Sequence, residues 1–487
     1  MKRGIMQTEY RKYLVIVPHP DDEINVAGQL ITRLTHGGSS VTVLYTTNGD
    51  YLPGQGPERL KEAIRALKIL GVDEKDILFM GYGDGWKGSR HLYNADGGVP
   101  LESAGGHLKT YGLENHPDYR FQKSGFHHTY TRDHYKKDLR DILLDLRAQA
   151  LIAVDFDWHP DHRCTSLMLE EVLGEILKSG NSYHPLVLKK FAYAGVWNGP
   201  KDYFHLPEQP TLPPRRALLN DSRFELDVPA YSWNERIRLS VPSETQTLIP
   251  WQNVIYQALR EHRSQAAKWR FDRICSADLV YWFRSTKSLS YRAKIKASSG
   301  NPEYLNDFKL IDCPDLAGGR DGIGIFGNCV WSPGRNDPVK SVEFTFPEPV
   351  NISCFCLYEN FAPDDHVKNG IIRFDNGFCL ETGPLDNSGK RTIVEFETQT
   401  GIRAFSFQIT DFSGDNPGLT EFEVYEKRED KEFPNSIFER YSTEKESGNF
   451  IRACFAGLFR SLFESGRFVH RAKERLRRNF ARFTRSV

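Results

Sequence analysis

Two short clusters concentrate histidine and carboxylate in this 487-residue chain: His19-Pro-Asp21-Asp22-Glu23 and, about 140 residues later, Asp157-Trp-His159-Pro-Asp161-His162. Imidazole and carboxylate are the ligand types of hydrolytic zinc, which takes three protein ligands and keeps a fourth position for water. Water on such a cation ionises near neutral pH, and a carboxylate beside it that does not bind the metal can take the proton during attack on a carbonyl. Adjacent Asp21 and Asp22 can divide those tasks, one on the metal and one on the water. Each cluster alone has an ordinary explanation, since carboxylates are favoured at any helix N-terminus and a lone His-x-x-His is common. Both together, in order and each after an apolar run, favour a metal site.

The apolar runs must do the positioning. Leu14 to Val17 has the continuous β-branched character of a strand buried on both faces of a parallel sheet, and Pro18 and Pro20 end it. His19, Asp21 and Asp22 then sit at the carboxyl end of a central strand, where open α/β sheets bind ligands. Residues 150–156 repeat the arrangement ahead of His159 and His162. Two such strand ends side by side would gather three histidines and several carboxylates in one crevice. Arg59 opens a helix-like segment that Gly71 ends, so it is either a helix surface charge or a holder of a substrate hydroxyl or phosphate. The long segment 85–130, with His91, Tyr93, His107, Tyr111, His127 and His128, reads as a substrate-facing lid or a surface insertion.

At these residues the chain resembles the PIG-L (LmbE-like) family of metal-dependent N-deacetylases, whose motifs are a His-Pro-Asp-Asp-Glu loop and a distal His-Pro-Asp-His. Both motifs are intact. The resemblance continues through Thr46-Thr-Asn-Gly49, Arg59 and Glu62, Leu78-Phe-Met-Gly-Tyr-Gly-Asp84-Gly, and Ala258-Leu-Arg-Glu-His262-Arg-Ser-Gln265, covering roughly residues 12–290. It implies that His19, Asp22 and His162 hold Zn2+ or another divalent metal and that Asp21 is the general base. It makes His159, protonated, the second acid/base or oxyanion group, and Asp161 the residue that orients a histidine. Glu23 would buttress the loop. Apart from the resemblance, strand-end geometry makes Arg59, and the long segment makes His91 and Tyr93, the candidates to meet substrate. The implied reaction removes the N-acetyl group from an N-acetylhexosamine (GlcNAc-like) unit of a glycan or lipid-linked saccharide, releasing acetate. Two rivals are an O-acetyl esterase or other amidase using the same site, and a non-catalytic, membrane-tethered glycan-binding protein.

The expected fold is α/β over residues 1–295, a Rossmann-like, mostly parallel sheet flanked by helices. From about 296 to 428 short apolar or alternating runs, among them Ser341–Phe346, Ile352–Tyr358, Thr392–Phe396 and Phe405–Ile409, are punctuated by Gly, Pro, Asn and Asp, which predicts an all-β sandwich. This part resembles a galactose-binding-like or discoidin-type jelly roll; it reads either as a glycan-binding module, with Trp331 and Tyr358 as candidate stacking residues, or as a structural or dimerisation module. Gly322-x-Gly324-x-x-Gly327 follows no strand and predicts no dinucleotide site.

Residues 429–487 form a charged linker and a basic amphipathic helix. From Phe450 to Val487 ten Lys or Arg face two Glu, so the tail carries +8 and the first 449 residues −8 in a formally neutral chain. Phe455, Phe459, Leu462, Phe463, Val469, Ala472, Leu476, Phe480 and Phe483 recur at helical spacing, interrupted at Gly466. Such a helix suits an anionic membrane surface, or else docks on another subunit or on the acidic body of the chain. No nucleic-acid fold accompanies the charge, so no nucleic-acid partner is expected. No apolar stretch reaches the roughly 20 residues that span a bilayer. The first residues lack the apolar core of a signal peptide, and the eight cysteines include no zinc-type pairs; the expected location is cytoplasmic, or peripheral on the inner membrane face. The oligomeric state is not legible.

Overall fold

Tyr13 to Val17 are buried on both faces, as a strand in the middle of a covered sheet must be. In the computed structural model, which describes residues 11–192 apart from 89, 90 and 158, 236–313 apart from 246, 248, 276 and 277, 329–428 apart from 361–363 and 388–390, and a helix over 450–483, they lie on β1 (Lys12–Val17). The Gly322 to Gly327 motif lies outside the described residues. The first sheet continues with β2 (Ser40–Thr47), β3 (Ile77–Tyr82), β4 (Ala150–Val154), β5 (Leu186–Lys190), β6 (Arg236–Ser240) and β7 (Asp278–Arg284), in the spatial order β3-β2-β1-β4-β5-β7-β6. Pairing from β3 through β5 is parallel, while β7 runs antiparallel to both β5 and β6.

Alternation along β1 splits the apolar residues between two layers. Tyr13, Val15 and Val17 join the core under α1 (Asp22–His36), α2 (Gly56–Ile69) and, further along the chain, Ile255, Ala258 and Leu259. Leu14 and Ile16 join the core on the other face, with residues of α3 (Tyr119–Ser124), α4 (Arg132–Leu146) and α5 (Pro160–Lys178). The order fixes where a ligand can bind. The chain leaves β1 for β2 and β3 on one side and returns to β4 on the other, so a crevice opens between the carboxyl ends of β1 and β4. Both sequence clusters end up there, as the apolar runs implied.

The second sheet contains β8 (Lys294–Ala297), β9 (Ser341–Glu359), β10 (His366–Phe374), β11 (Cys379–Glu381), β12 (Thr392–Ser413) and β13 (Leu419–Tyr425), paired antiparallel. Runs that read as separate strands in the sequence are joined here: Ser341–Phe346 and Ile352–Tyr358 lie on β9, and Thr392–Phe396 and Phe405–Ile409 on β12. The intervening prolines and Gly401 bend the strands instead of ending them, and the β9–β12 register shifts three times between Glu395 and Ala404. A straight strand would hold Phe344 and Phe355 roughly 36 Å apart. Their rings instead lie 4.7 and 5.0 Å from the same ring, Phe405, so β9 folds back on itself and makes the sandwich-like double layer. Trp331 and Tyr358 do not serve as exposed stacking platforms, being 0% and 2% exposed. The indole of Trp331 donates to the Ser299 carbonyl at 2.9 Å, and Tyr358 belongs to the core of the first sheet.

The two sheets share buried charge. Arg284, at the end of β7, reaches Glu421 and Glu423 of β13 at 3.3 Å each and donates to the Phe308 carbonyl at 2.5 Å. Tyr291 donates to Glu421 at 3.1 Å. Among the described residues the remaining α-helices are α6 (Val254–Glu261), the short α7 (Phe271–Ile274) and the tail, α8 (Phe450–Phe483), which runs unbroken through Gly466. Among the described residues no helix is long and apolar enough to cross a membrane.

Candidate active site

The loop after β1 turns sharply into α1. Asp21 precedes the helix at φ 123°, a strained left-handed value for a residue with a Cβ, and its backbone N–H donates to Glu23 at 2.8 Å. Glu23 is itself held at 2.7 Å by His262 Nε2, so it buttresses the turn from beneath. The strained turn delivers Asp22 into the crevice, where its Oδ2 lies 3.0 Å from His19 Nδ1 and 3.1 Å from His162 Nε2. Asp157 Oδ2 sits 2.7 Å from the other nitrogen of His162 and fixes the ring's orientation.

After β4 the chain enters α5 with His159 as N-cap and Pro160 in the first turn. His159 Nδ1 accepts the backbone N–H of Asp161 at 3.3 Å, which leaves the hydrogen of a neutral ring on Nε2. Asp161 bridges two histidines, His19 Nε2 at 3.4 Å and His91 Nε2 at 3.1 Å. His19 also lies 3.4 Å from Asp84, at the end of β3. The His19, His159 and His162 rings crowd together with centroids 4.8 to 5.3 Å apart.

Electrostatics sort these groups. Burial acts to lower the His19 pKa, but Asp84, Asp161 and Asp22 raise it well above the usual imidazole range. His162 is likewise penalised by burial yet lifted to about 9 by Asp157 and Asp22. Burial opposes ionisation of Asp22 and Asp161, and the facing histidines nonetheless hold both well below the ordinary carboxylate value. His159 goes the other way, lowered to about 4 by burial and by His19 and His162. The expected protonated His159 is therefore not what these surroundings favour.

Donor chemistry and spacing both suit a divalent cation. Two overlapping groups, His19 with His159 and His162, and His19 with Asp84 and Asp161, offer ligand atoms within 4.8 Å of one another. Bonds of about 2.0 to 2.1 Å to a tetrahedral ion put ligand atoms roughly 3.3 Å apart. The contacts of Asp22 with His19 and His162 are close to that edge length.

Of the residues expected to meet substrate, His91 is brought to the cluster through Asp161. Arg59 is neither a surface charge nor free to reach out. It is 6% exposed, donates to the Gly49 and Pro20 carbonyls at 2.9 Å each, and lies 3.3 Å from Asp21. Gly49, at φ 64°, makes room for it, since a Cβ there would meet the guanidinium at 2.6 Å. Tyr93 is turned to the second sheet's approach: its hydroxyl contacts Asp312 at 2.5 Å and Lys309 at 3.0 Å. His127 pairs with Asp118 inside the 85–130 segment, and His128 pairs with Asp138 of α4, which ties the segment to the body. His107 and Tyr111 meet Asp50, whose Oδ1 accepts the Asp84 N–H at 2.8 Å.

Arg270, which no sequence pattern singled out, pairs with Asp21 Oδ2 from 249 residues away. Asp84 and Asp157 were visible at strand ends without an assigned role.

Residues 14–173 match the family model described as PIG-L, GlcNAc-PI de-N-acetylase, and residues 289–425 match a domain of unknown function, DUF7402. No curated protein matches the chain. Among solved structures it is similar to N,N'-diacetylchitobiose deacetylase from Pyrococcus horikoshii, at 16% identity over 58% of this chain and 88% of that one, with a TM-score of 0.33. It is also similar to the conserved protein TT1542 from Thermus thermophilus, at 17% identity over 56% and 94%, TM-score 0.30. A family 32 carbohydrate-binding module from C. perfringens NanJ is similar at 13% identity over 28% of this chain and 94% of that one, TM-score 0.21.

Proposed function

We propose that this chain, whose residues 14–173 form a PIG-L domain, is a divalent-metal-dependent N-deacetylase acting on an N-acetylhexosamine unit of a glycan or lipid-linked saccharide. The family's description names an N-acetylglucosamine amide, which supports that substrate class. The observation that carries the reading is Asp22 Oδ2 lying between nitrogens of His19 and His162 at 3.0 and 3.1 Å, with Asp21 next to it.

In this reading His19, Asp22 and His162 hold the metal, with zinc as the first choice for such donors. A bound divalent cation supplies Lewis-acid polarisation and lowers the pKa of water. Asp157 and Asp161 hold His162 and His19 in orientation. Asp21, steadied by Arg59 and Arg270, takes a proton from the attacking water. His159, 24% exposed at the side chain where its carboxylate neighbours are nearly closed off, faces the incoming amide and donates its Nε2–H to the oxyanion. The proton on Asp21 then passes to the leaving nitrogen, the C–N bond breaks, and acetate and a free amine leave. In this reading the reacting saccharide unit enters the crevice, and the two aromatics singled out on the sandwich, Trp331 and Tyr358, are buried.

The deciding experiment measures acetate release from N-acetylated and O-acetylated saccharides, using metal-stripped protein with and without zinc. Zinc-restored release from N-acetylhexosamines, reduced roughly 10³-fold by Asp21→Asn, is expected. Preference for O-acetyl esters would replace deacetylation of an amide by esterase chemistry. Silence across the panel with tight zinc binding would favour a glycan-binding protein.

A further inference from the structure

Helix α8 has two apolar faces, and among the described residues the body covers only one. Phe463 is 6% exposed and enters the core beneath the first sheet. Its ring lies 5.6 Å from that of Trp269, and Phe459 lies 5.5 Å from Trp251. Arg467 pairs with Asp272, and a Cβ at Gly466 would meet the Trp269 ring at 2.6 Å, so this face is fitted to the body. About a quarter-turn around the helix runs a second stripe, Leu458, Leu462, Val469 and Leu476, which are 53%, 55%, 51% and 68% exposed. Phe468, at 74% exposure, stands about a further quarter-turn away. Lys473 flanks the stripe, and Arg471 and Arg475 are exposed on the side of Phe468.

We infer that this second stripe lies in the headgroup region of an anionic lipid bilayer. Large apolar side chains held in a row by a docked helix are an interaction surface, and the charge around them selects the partner. The tail carries ten Lys or Arg against two Glu, so two copies pairing through the stripe would bring like charges together. An anionic bilayer offers acyl chains to the leucines and negative headgroups to the cations. The docked face explains why the contact belongs to the whole molecule: membrane attachment at the stripe carries the body with it. The inference is independent of the reaction assigned to the crevice.

It is tested with full-length protein and sedimented vesicles, either phosphatidylcholine alone or with about 30% phosphatidylserine. Binding to the anionic vesicles is expected to weaken at least about tenfold in roughly 0.5 M salt. The double variant Leu462→Asp/Val469→Asp, both on the exposed stripe, is expected to lose at least about tenfold as well, with unchanged circular dichroism and unchanged mass in solution. Failure of the wild type to sediment overturns the inference, as does equal sedimentation of the double variant or of all proteins with neutral vesicles. A wild-type dimer that the double variant dissolves assigns the stripe to a second copy and overturns it too.

Discussion

At His159, burial and the adjacent His19 and His162 hold the ring down to about 4, so above that pH it is neutral and carries a single N–H. The proposed role as a neutral N–H donor predicts that His159 contributes no limb to the kcat–pH profile between about pH 6 and 8. His159→Gln, which keeps an N–H, should retain more activity than His159→Ala, whose kcat should fall roughly 10²- to 10³-fold. A limb in the wild type that vanishes in the Gln variant would mean an acid instead. Arg59 makes a second residue-scale case. Its two arms reach the Gly49 and Pro20 carbonyls and Asp21, and a lysine cannot replace that fork. Arg59→Lys is expected to cost about 2 kcal/mol in thermal unfolding and to lower kcat more than it raises KM; full rescue by lysine would show that charge alone matters. Legibility at this scale followed chain proximity. His19, Asp21, Asp22, His159, Asp161 and His162 stood in two contiguous clusters, and the fold brings those clusters into one crevice. Arg59 is buried beside Asp21, which a helical pattern does not reveal because it gives no hint that Gly49 clears a path inward. Arg270 reaches Asp21 across 249 residues, a contact that no local pattern carries.

Among the elements, α5 shows packing overruling propensity. Replacing a helix-interior glycine by alanine usually stabilises by up to about 1 kcal/mol. At Gly174 of α5, however, a Cβ would lie 2.0 Å from the Asp307 carbonyl oxygen. Gly174→Ala should therefore destabilise, by about 1–3 kcal/mol, as read from urea midpoints. A stabilised variant would mean that the 307 segment moves away freely. The same kind of close approach explains what was misread in the tail, where Gly466 interrupts an apolar stripe in the sequence yet lies within an unbroken helix because Trp269 packs against it. Strand existence was legible from continuous apolar runs in the first sheet and from apolar or alternating runs in the second. Strand continuity was not, since proline and glycine look alike in sequence whether they end a strand or bend it. β9 and β12 bend, and the packing of their phenylalanines on Phe405 settles that only in three dimensions.

For the whole molecule, the joint between the two sheets governs stability. Burial pushes Asp307 up to about 7 from an ordinary 3.8. A carboxyl raised on folding gives stability that is complete below about pH 4 and lost as pH rises through about 7. Wild-type Tm should accordingly fall between pH 5 and pH 8, and Asp307→Asn should fall less, exceeding wild type by about 1–2 kcal/mol at the upper end. Identical pH slopes would remove Asp307 from the account. The sequence texture changes near 296 as though two modules met there, but Arg284 is buried against Glu421 and Glu423, and one apolar core runs from Leu14 to Tyr358. Because that guanidinium is paired and buried across the joint, calorimetry of the full chain should show one transition for both sheets, where two resolved peaks would mean separable halves. A different joint links the tail to the crevice. Trp269 and Asp272 grip the tail, and Arg270, between them in the chain, reaches Asp21. The tail and the proposed base thus meet at one four-residue span, so a displacement of the helix from Trp269 and Asp272 would act first on the side chain that steadies Asp21.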